Sequence, residues 1–395
     1  MNAGKGFQSA QVQSRPVGKS VLRKAQTDVS DAMPVSTLKS RLGTEPFAMI
    51  LLMVTPKADF KSVVADAQAQ FDGTTVMACT TAGEISSNGY DEGRILAVGF
   101  PAADFASHAV LITDTDNLAH QALVDEISLE RRALCENNSH LQHQFAFLVV
   151  DGLSLSEDTL AATLAPALTD VPLFGGSAGD GTDFEHTMVS LNGEIAENAA
   201  VLTLIRSRFR TKVFSLDHFD PTDQKMVVTD ANPAQRIVKT INAEPAAREY
   251  ARIVGKDPNQ LDRFTFAAHP VVVRIGNEHH VRAIQQINDA GEMIFFSAVD
   301  EGMVLTVAHA RNMATHLEEA LDAMAEENIP ADIICCDCIL RRIEAEQSQL
   351  IRPMSDILSR HNVIGFSTYG EQIGPLHVNQ TMSGVAFYNS GDGQD

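Results

Sequence analysis

The chain has 395 residues, of which 44% are hydrophobic, 21% are charged and 6% are aromatic. This length is sufficient for two hydrophobic cores. A formal net charge of −21 would repel the phosphates of nucleic acids and anionic lipids. No stretch approaches the roughly 18 uninterrupted apolar residues of a membrane helix, and the N-terminus lacks the apolar region of a secretory signal. We therefore expect a cytoplasmic protein that binds neither nucleic acid nor membranes.

The first 43 residues differ in charge from the rest, with seven Lys or Arg residues against two Asp residues. A basic terminal segment of this kind is typical of a flexible leader, which is our prediction for residues 1–43. A transit peptide and a basic arm that contacts an acidic partner have a similar composition, so both alternatives stay open.

From about residue 46 the pattern alternates between strands and helices. The uninterrupted apolar run 47–54 predicts a strand that is covered on both faces. Thr55 and Pro56 are suited to begin the helix that follows, and Gly73 is suited to end it. Further strands are predicted at 75–79, 95–100, 105–112, 145–150, 184–191 and 199–205, with helices at 117–136 and from residue 156. Asn192-Gly193 predicts a hairpin turn between the last two strands.

The second half changes to short strands separated by polar turns, which is typical of an antiparallel sheet. These strands are predicted near 211–217, 235–241, 270–275, 280–287, 293–299 and 303–308, and the final pair at 363–368 and 381–388. Helices are predicted at 245–255, 312–327 and 344–360. The fold class is therefore α/β (α+β), with an N-terminal mixed sheet with crossover helices and a C-terminal, largely antiparallel sheet with flanking helices. We place the domains at 44–220 and 221–390, because polar residues and prolines interrupt the pattern near this boundary.

The five cysteines are Cys79, Cys135, Cys335, Cys336 and Cys338. Their odd number and the clustering of three in one apolar run argue against a disulfide framework and predict reduced thiols. No histidine lies close to Cys79 in sequence to activate it as a nucleophile. In a strand, Cys336 and Cys338 share one face while Cys335 points to the other, so a core role fits this cluster better than a zinc site. We expect no enzymatic activity.

A glycine-rich run, residues 174–181 (FGGSAGDG), could bring backbone N–H groups close to a ligand. The run lacks the spacing of the known nucleotide-binding loops. A turn that lines a ligand site and a plain structural turn both remain open. Among the thirteen histidines, four lie in loops beside aromatic or apolar residues: His218, His269, His361 and His377.

Three segments resemble the FIST family of sensory proteins: residues 79–85 (CTTAGEI), 174–180 (FGGSAGD) and 364–374 (IGFSTYGEQIG), the last followed by His377, Asn379 and Thr381. The resemblance implies an N-terminal and a C-terminal FIST half that bind a small ligand such as an amino acid. It also implies a separate output partner, a histidine kinase or a cyclic-di-GMP synthase or phosphodiesterase, and an assembly of identical chains is left open. The residues of these segments that we expect to line the ligand are Thr80, Thr81, Glu84, Gly175, Gly176, Asp180, Tyr369, Glu371 and Asn379.

Within that family, residues 218–222, 227–230 and 245–252 look like those of the haem-binding, nitric oxide sensing members called NosP. This similarity implies a haem b held by a histidine, and nitric oxide that alters the output of the kinase. His218 lies near the domain boundary and is our first choice as axial ligand, with His377 as the alternative. A covalent haem motif is absent from the sequence. The other interpretation is a FIST sensor of a small metabolite without haem.

Overall fold

In the computed structural model, which describes residues 19–276 and 278–389, strands and helices alternate along most of the chain. The elements of the first half are β1 (Arg23–Asp28), α1 (Pro34–Leu42), β2 (Phe47–Val54), α2 (Phe60–Gln70), β3 (Thr75–Thr80), β4 (Glu84–Ser86), β5 (Gly89–Asp91), β6 (Arg94–Pro101), β7 (Phe105–Ile112), α3 (His120–Asn137), β8 (His143–Val150), α4 (Glu157–Leu168), β9 (Leu173–Ser177), β10 (Val189–Leu191), β11 (Glu194–Ala196), β12 (Ala200–Ser207) and β13 (Arg210–Leu216). Those of the second half are β14 (Phe219–Asn232), β15 (Ile237–Ile241), β16 (Glu244–Pro245), α5 (Ala246–Val254), α6 (Arg263–Ala268), β17 (Val271–Ile275), β18 (Glu278–Arg282), β19 (Ile284–Ile287), β20 (Met293–Phe295), β21 (Val304–Ala310), α7 (Met313–Met324), β22 (Pro330–Cys338), α8 (Ile339–Gln347), α9 (Ile351–Arg360), β23 (Val363–Thr368), β24 (Glu371–Ile373), β25 (Leu376–Val378) and β26 (Met382–Tyr388).

Three of the sheets have six strands each and pack around one shared core. Their strand orders are β1-β6-β2-β3-β10-β11, β25-β24-β9-β8-β12-β7 and β13-β26-β22-β23-β4-β5. Aromatic rings from all three sheets meet in the core, where Phe387 lies 6.4, 5.9 and 5.7 Å from Phe100, Phe105 and Phe145, respectively, between ring centroids. Each sheet contains one parallel pair joined through helices: β2 with β3, β8 with β9, and β22 with β23.

Helices cover the outer faces of the three sheets and explain the apolar runs in their central strands. Helices α1 and α2 pack on the first sheet, α3 and α4 on the second, and α7, α8 and α9 on the third. Because both faces of β2 and β8 are covered, these strands read as continuous hydrophobic sequence rather than alternating sequence. An eight-stranded sheet of residues 219–310, with α5 and α6, forms a separate core.

The two halves of the chain exchange short hairpins. The hairpin β4–β5 from the first half pairs with β23 of the third sheet, and the hairpin β24–β25 from the second half pairs with β9 of the second sheet. No single cut in the chain therefore separates the sheets, and the boundary at 220/221 stays a prediction.

The predicted fold class is confirmed. The turn at Asn192-Gly193 is also present, with positive φ angles of 51° and 84°, but it joins β10 to the short strand β11 and not to the strand predicted at 199–205. Residues 1–43 were expected to be a flexible leader, but residues 23–42 instead form β1 and α1. Strand β1 pairs along its whole length with β6, and α1 buries Val35 and Leu38. Residues 1–18 lie outside the described part.

Other element boundaries also differ from the predictions. Helix α2 begins at Phe60, because the side chain of Asp59, not Thr55, accepts the N–H of Ser62 and caps the helix. The polar stretch taken as a domain boundary is the 14-residue strand β14, and the helix predicted at 344–360 is two helices, α8 and α9, that meet near Leu350. The hairpin β24–β25 lies where the sequence predicts a loop.

Candidate functional site

A cleft of about 440 Å³ opens where the first half of the chain meets helix α8. It is lined by residues 55–57, 82–84, 92–93 and 180–183 of the first half, and by Ile339, Arg342, Ile343 and Glu346 of the second. Two of the segments that resemble the FIST family, 79–85 and 174–180, end in this cleft. The third segment contacts the lining of the cleft, because its Tyr369 packs with Ala82 and Ile339 in one apolar cluster.

Asp180 is held rigidly at one side of the cleft. Its carboxylate accepts the backbone N–H groups of Phe184, Glu185 and His186 at 2.9, 2.8 and 2.7 Å, and the hydroxyl of Tyr369 also donates to it. Burial alone would raise the pKa of Asp180, but these hydrogen bonds outweigh burial and lower it below the ordinary value. The ring of Phe184 stacks on Tyr369 at 4.3 Å between centroids. Asp180 is therefore a fixed negative charge.

Glu84 lies fully buried at the base of the cleft. Its carboxyl group accepts hydrogen bonds from the Thr81 hydroxyl at 2.5 Å and from the backbone N–H of Arg94 at 3.0 Å. Burial raises the pKa of Glu84 despite these hydrogen bonds. Gly83 beside it has φ +126°, and a Cβ there would lie 1.8 Å from an Arg342 guanidinium nitrogen. The absence of a side chain at Gly83 thus lets Arg342 reach across the cleft.

Two cationic side chains, Arg342 and Lys57, also line the cleft. Arg342 forms ion pairs with Glu92 at 3.0 Å and Glu346 at 3.4 Å, and Lys57 pairs with Glu92 at 3.1 Å. Neither Arg342 nor Lys57 lies in a segment that resembles the family, so neither was predicted as a site residue. Their signal in the sequence was weak: a basic pair in an amphipathic helix and a lysine after a strand.

The other predicted ligand-lining residues lie elsewhere. Thr80 borders a neighbouring depression of about 350 Å³ that shares Asp180 and Asp183 with the cleft. Gly175 and Gly176 lie buried in β9, and a Cβ on Gly176 would be 2.4 Å from Thr368 Cγ2, so this glycine permits close packing of strands. They do not line the cleft.

Glu371 lies in the interior beyond these glycines. Its carboxyl group accepts the hydroxyls of Thr368 and Thr381, the second at 2.6 Å. Burial raises the pKa of Glu371 well above its ordinary value, which favours its protonated form. Asn379 is also fully buried, next to His377 and Gly370. The structure thus divides the predicted site residues between the cleft and a polar interior.

Both ring nitrogens of His218 are engaged by helix α8. Arg341 donates to Nδ1 at 3.0 Å, and because an arginine can only donate, the ring proton must lie on Nε2. Nε2 donates to Glu344 at 2.9 Å. Arg341 also pairs with Asp337 at 2.8 Å, which accepts the Tyr90 hydroxyl at 2.5 Å. His218 therefore belongs to a buried polar chain that joins both halves of the protein.

Among the predicted histidines, His218 lacks the free ring nitrogen that an axial haem ligand needs. An axial ligand needs a free ring nitrogen and an apolar pocket beside it. His218 has no free nitrogen, and His361 pairs with Asp322 at 3.3 Å. His377 has no partner at Nε2 among the described residues, but it is packed against Gly370, Asn379 and Gln372. His269 caps helix α6 at the edge of the eight-stranded sheet's core. Haem binding stays a prediction from the resemblance.

Four of the five cysteines are buried in the part of the chain that the structure describes, and Cys135 is exposed. All five are free thiols, and burial raises the pKa of Cys79, Cys335, Cys336 and Cys338, which disfavours the reactive thiolate. No cluster of three His, Cys, Asp or Glu side chains with metal-binding geometry is found among the described residues. Nor does any helix within residues 19–276 and 278–389 have the length and apolarity needed to cross a membrane.

The residues that line the cleft lie in segments that match known protein domains. An uncharacterized protein of Methanocaldococcus jannaschii is 20% identical, in an alignment that spans 92% of this chain and 78% of the relative. Residues 48–244 match the FIST N domain and residues 246–374 match the FIST C domain. The chain therefore belongs to the FIST family, whose domains are sensory ligand-binding domains.

Proposed function

We propose that this protein is a sensor that binds a small zwitterionic metabolite, of the size of an amino acid, in the cleft between the first half and helix α8. The supporting observation is that residues of both FIST domains line one cavity of about 440 Å³ and bring to it the cations Arg342 and Lys57 and the carboxylate of Asp180. Cavities of this size are typical of small-molecule sites.

The distribution of charge sets the orientation of the ligand. A carboxylate would lie near Arg342 and Lys57, whose present partner Glu92 is more than half exposed and easily displaced. An ammonium group would lie near Asp180 and the neighbouring Asp183. Between these ends, Ile339 and Ile343 offer apolar surface to a side chain.

Helix α8 offers a route from the cleft to the rest of the protein. Arg342 faces the cleft, while the preceding Arg341 points inward to Asp337 and His218. If the ligand binds more tightly to one of two placements of helix α8, its binding favours that placement. The buried hydrogen-bond chain from Arg341 would then carry the movement of α8 to Tyr90 and to the β13–β14 junction. A separate histidine kinase or cyclic-di-GMP enzyme as the receiver of this signal stays part of the proposal.

Calorimetric titration with the proteinogenic amino acids tests the proposed ligand class. We expect at least one to bind the wild type, and Arg342→Gln to weaken that binding tenfold or more, because it removes a charge-assisted contact of about 1.5–3 kcal/mol. The matched control is Arg352→Gln, an exposed arginine on the adjacent helix α9, which should bind like the wild type. Equal affinity in both variants, or no binding by any amino acid, would contradict the proposal.

A further inference from the structure

Two of the cleft residues that the structure describes carry buried carboxyl groups, Glu84 and Asp180. Asp180 accepts four hydrogen bonds, which hold it in its charged form. Glu84 accepts only two. Asp183, Glu92 and Glu346 are exposed, so water screens their carboxylates from a change of charge in the cleft. Glu84 is therefore the carboxyl group whose protonation depends most on what occupies the cleft.

The surroundings of Glu84 suit both of its charge states. In the charged state, Oε1 accepts a hydrogen bond from the Thr81 hydroxyl at 2.5 Å. The oxygen of the same hydroxyl lies 3.4 Å from the backbone carbonyl oxygen of Val54. The hydroxyl can turn its proton toward Val54 and accept a proton carried by Glu84, because a hydroxyl both donates and accepts. Glu84 can thus take up a proton without leaving a polar group unpaired.

Arg342 of helix α8 is the cation that faces Glu84. Its Nη1 would lie 1.8 Å from a Cβ on Gly83, the residue before Glu84. Nη1 also donates at 3.1 Å to the carbonyl oxygen of Asp91, the residue paired with Glu84 in the β4–β5 hairpin. Burial raises the pKa of Glu84, whereas its two hydrogen bonds and the charge of Arg342 lower it. Asp91 acts in the same direction as burial, but its carboxylate pairs with Arg94 at 3.1 Å.

The other elements around Glu84 bring few groups that titrate near neutral pH. Strand β23, which pairs with β4 at Phe366, has no titratable side chain. Lys57 is 59% exposed and pairs with Glu92. Among the described residues that line the cleft there is no histidine. Between the pKa range of exposed carboxylates and that of amines, we therefore expect the charge of the cleft to change at Glu84.

We infer that binding of a zwitterion in the cleft is coupled to the uptake of a proton by Glu84, so that the sensor responds to acidity as well as to its ligand. The inference rests on the proposed function, which places the ligand carboxylate on Arg342. That carboxylate offsets the attraction between Arg342 and Glu84, and the ligand displaces water from the cleft. Both effects favour the protonated form of Glu84, while Asp180 and Asp183 offset the ligand's ammonium group.

The coupling is reciprocal, because protonation of Glu84 must strengthen ligand binding by the same factor by which the ligand strengthens protonation. The proton comes from the solvent and is released when the ligand leaves. The sign follows from the raised pKa: ligand binding is tightest when Glu84 is protonated and weakens as pH rises above the ordinary value of 4.5.

Calorimetric titration in two buffers of different ionisation enthalpy measures the proton uptake. The probe is the proteinogenic amino acid that binds the wild type most tightly. We expect uptake of a fraction of one proton per bound probe, and an association constant that falls with rising pH by no more than about tenfold per pH unit, the limit for one proton. Glu84→Gln should bind without uptake, because its amide donates to the Thr81 hydroxyl as a protonated carboxyl group does. Glu346→Gln removes an exposed carboxylate that also pairs with Arg342 and should keep the uptake.

A second measurement needs neither the probe nor the Glu84 variant. Arg342→Gln removes the same charge that a ligand carboxylate would neutralise, so it should raise the pKa of Glu84 in the unliganded protein. Carbon-13 NMR of protein labelled at the carboxyl groups of its glutamates follows this titration. Probe binding without proton uptake, uptake that persists in Glu84→Gln, or an unchanged titration in Arg342→Gln would overturn the inference and leave the ligand cleft standing. The absence of binding by any amino acid would overturn both.

Discussion

The buried ion pair between Arg236 and Glu157 should be a major contributor to the contact between the eight-stranded sheet and α4. The two side chains are 9% and 1% exposed, and Arg236 Nη2 lies 2.5 Å from Glu157 Oε2. Arg236 also donates to Phe296 O at 2.6 Å, and Ser177 donates to Glu157 at 3.3 Å. Because Arg236→Met leaves the Glu157 charge buried and unpaired, we expect it to lower the free energy of unfolding by about 3–5 kcal/mol.

Urea unfolding followed by circular dichroism measures this effect. Glu157→Leu should cost a similar amount, but the double variant should cost no more than the worse single variant. Its only carboxylate left without the arginine is Asp158, which is partly exposed and still accepts the Ala298 N–H. Arg208→Met provides the control, since Arg208 is 67% exposed in its pair with Asp104 and should change stability by less than about 1 kcal/mol. A change below about 0.5 kcal/mol in Arg236→Met, or strict additivity in the double variant, would refute the reasoning.

Three other predictions concern single side chains. Because the pKa of Glu371 is raised in the folded state, its stabilising contribution is lost as pH rises above the ordinary value of 4.5; Glu371→Gln should therefore gain on the wild type as pH rises from there in unfolding experiments, whereas the exposed Glu244→Gln should show no such trend. The pKa of Asp180 is lowered, so Asp180→Asn should cost about 2 kcal/mol at pH 7, a gap that closes below about pH 4; a constant gap would contradict this. Protein produced with a haem supply should show no Soret band that depends on His218, and a band lost in His218→Ala would disprove the engagement of both ring nitrogens.

The strands and helices with strong local signals could be predicted from the sequence. Strands β2 and β8 are marked by uninterrupted apolar runs and helix α7 by an amphipathic pattern, so the sequence of each element alone indicates that it is buried. Strand β14 could not be predicted, because its residues are largely polar and partly exposed, and much of it is held by pairing with β21, which lies far away in sequence. The same is true of the exchanged hairpin β24–β25.

The site was predictable only in part for a related reason. Glu84, Asp180 and Tyr369 lie in segments that resemble the family, and the structure brings them together at the cleft. Arg342 could be recognised only in the structure, where its side chain packs across Gly83, a residue more than 250 positions away in the chain. The prediction for His218 rested on its place near the predicted domain boundary and on its aromatic neighbour. Nothing in the sequence indicates that Arg341 and Glu344, more than 120 positions away, engage both ring nitrogens.

The most direct test of the ligand cleft is to fill it. Ile343→Trp places the largest side chain at a residue that lines the cleft, in a chain that has no tryptophan. We expect calorimetric titration with the amino acid that binds the wild type to show no binding, while the melting temperature stays within a few degrees. A dissociation constant within twofold of the wild-type value would contradict the assignment of the ligand to this cleft.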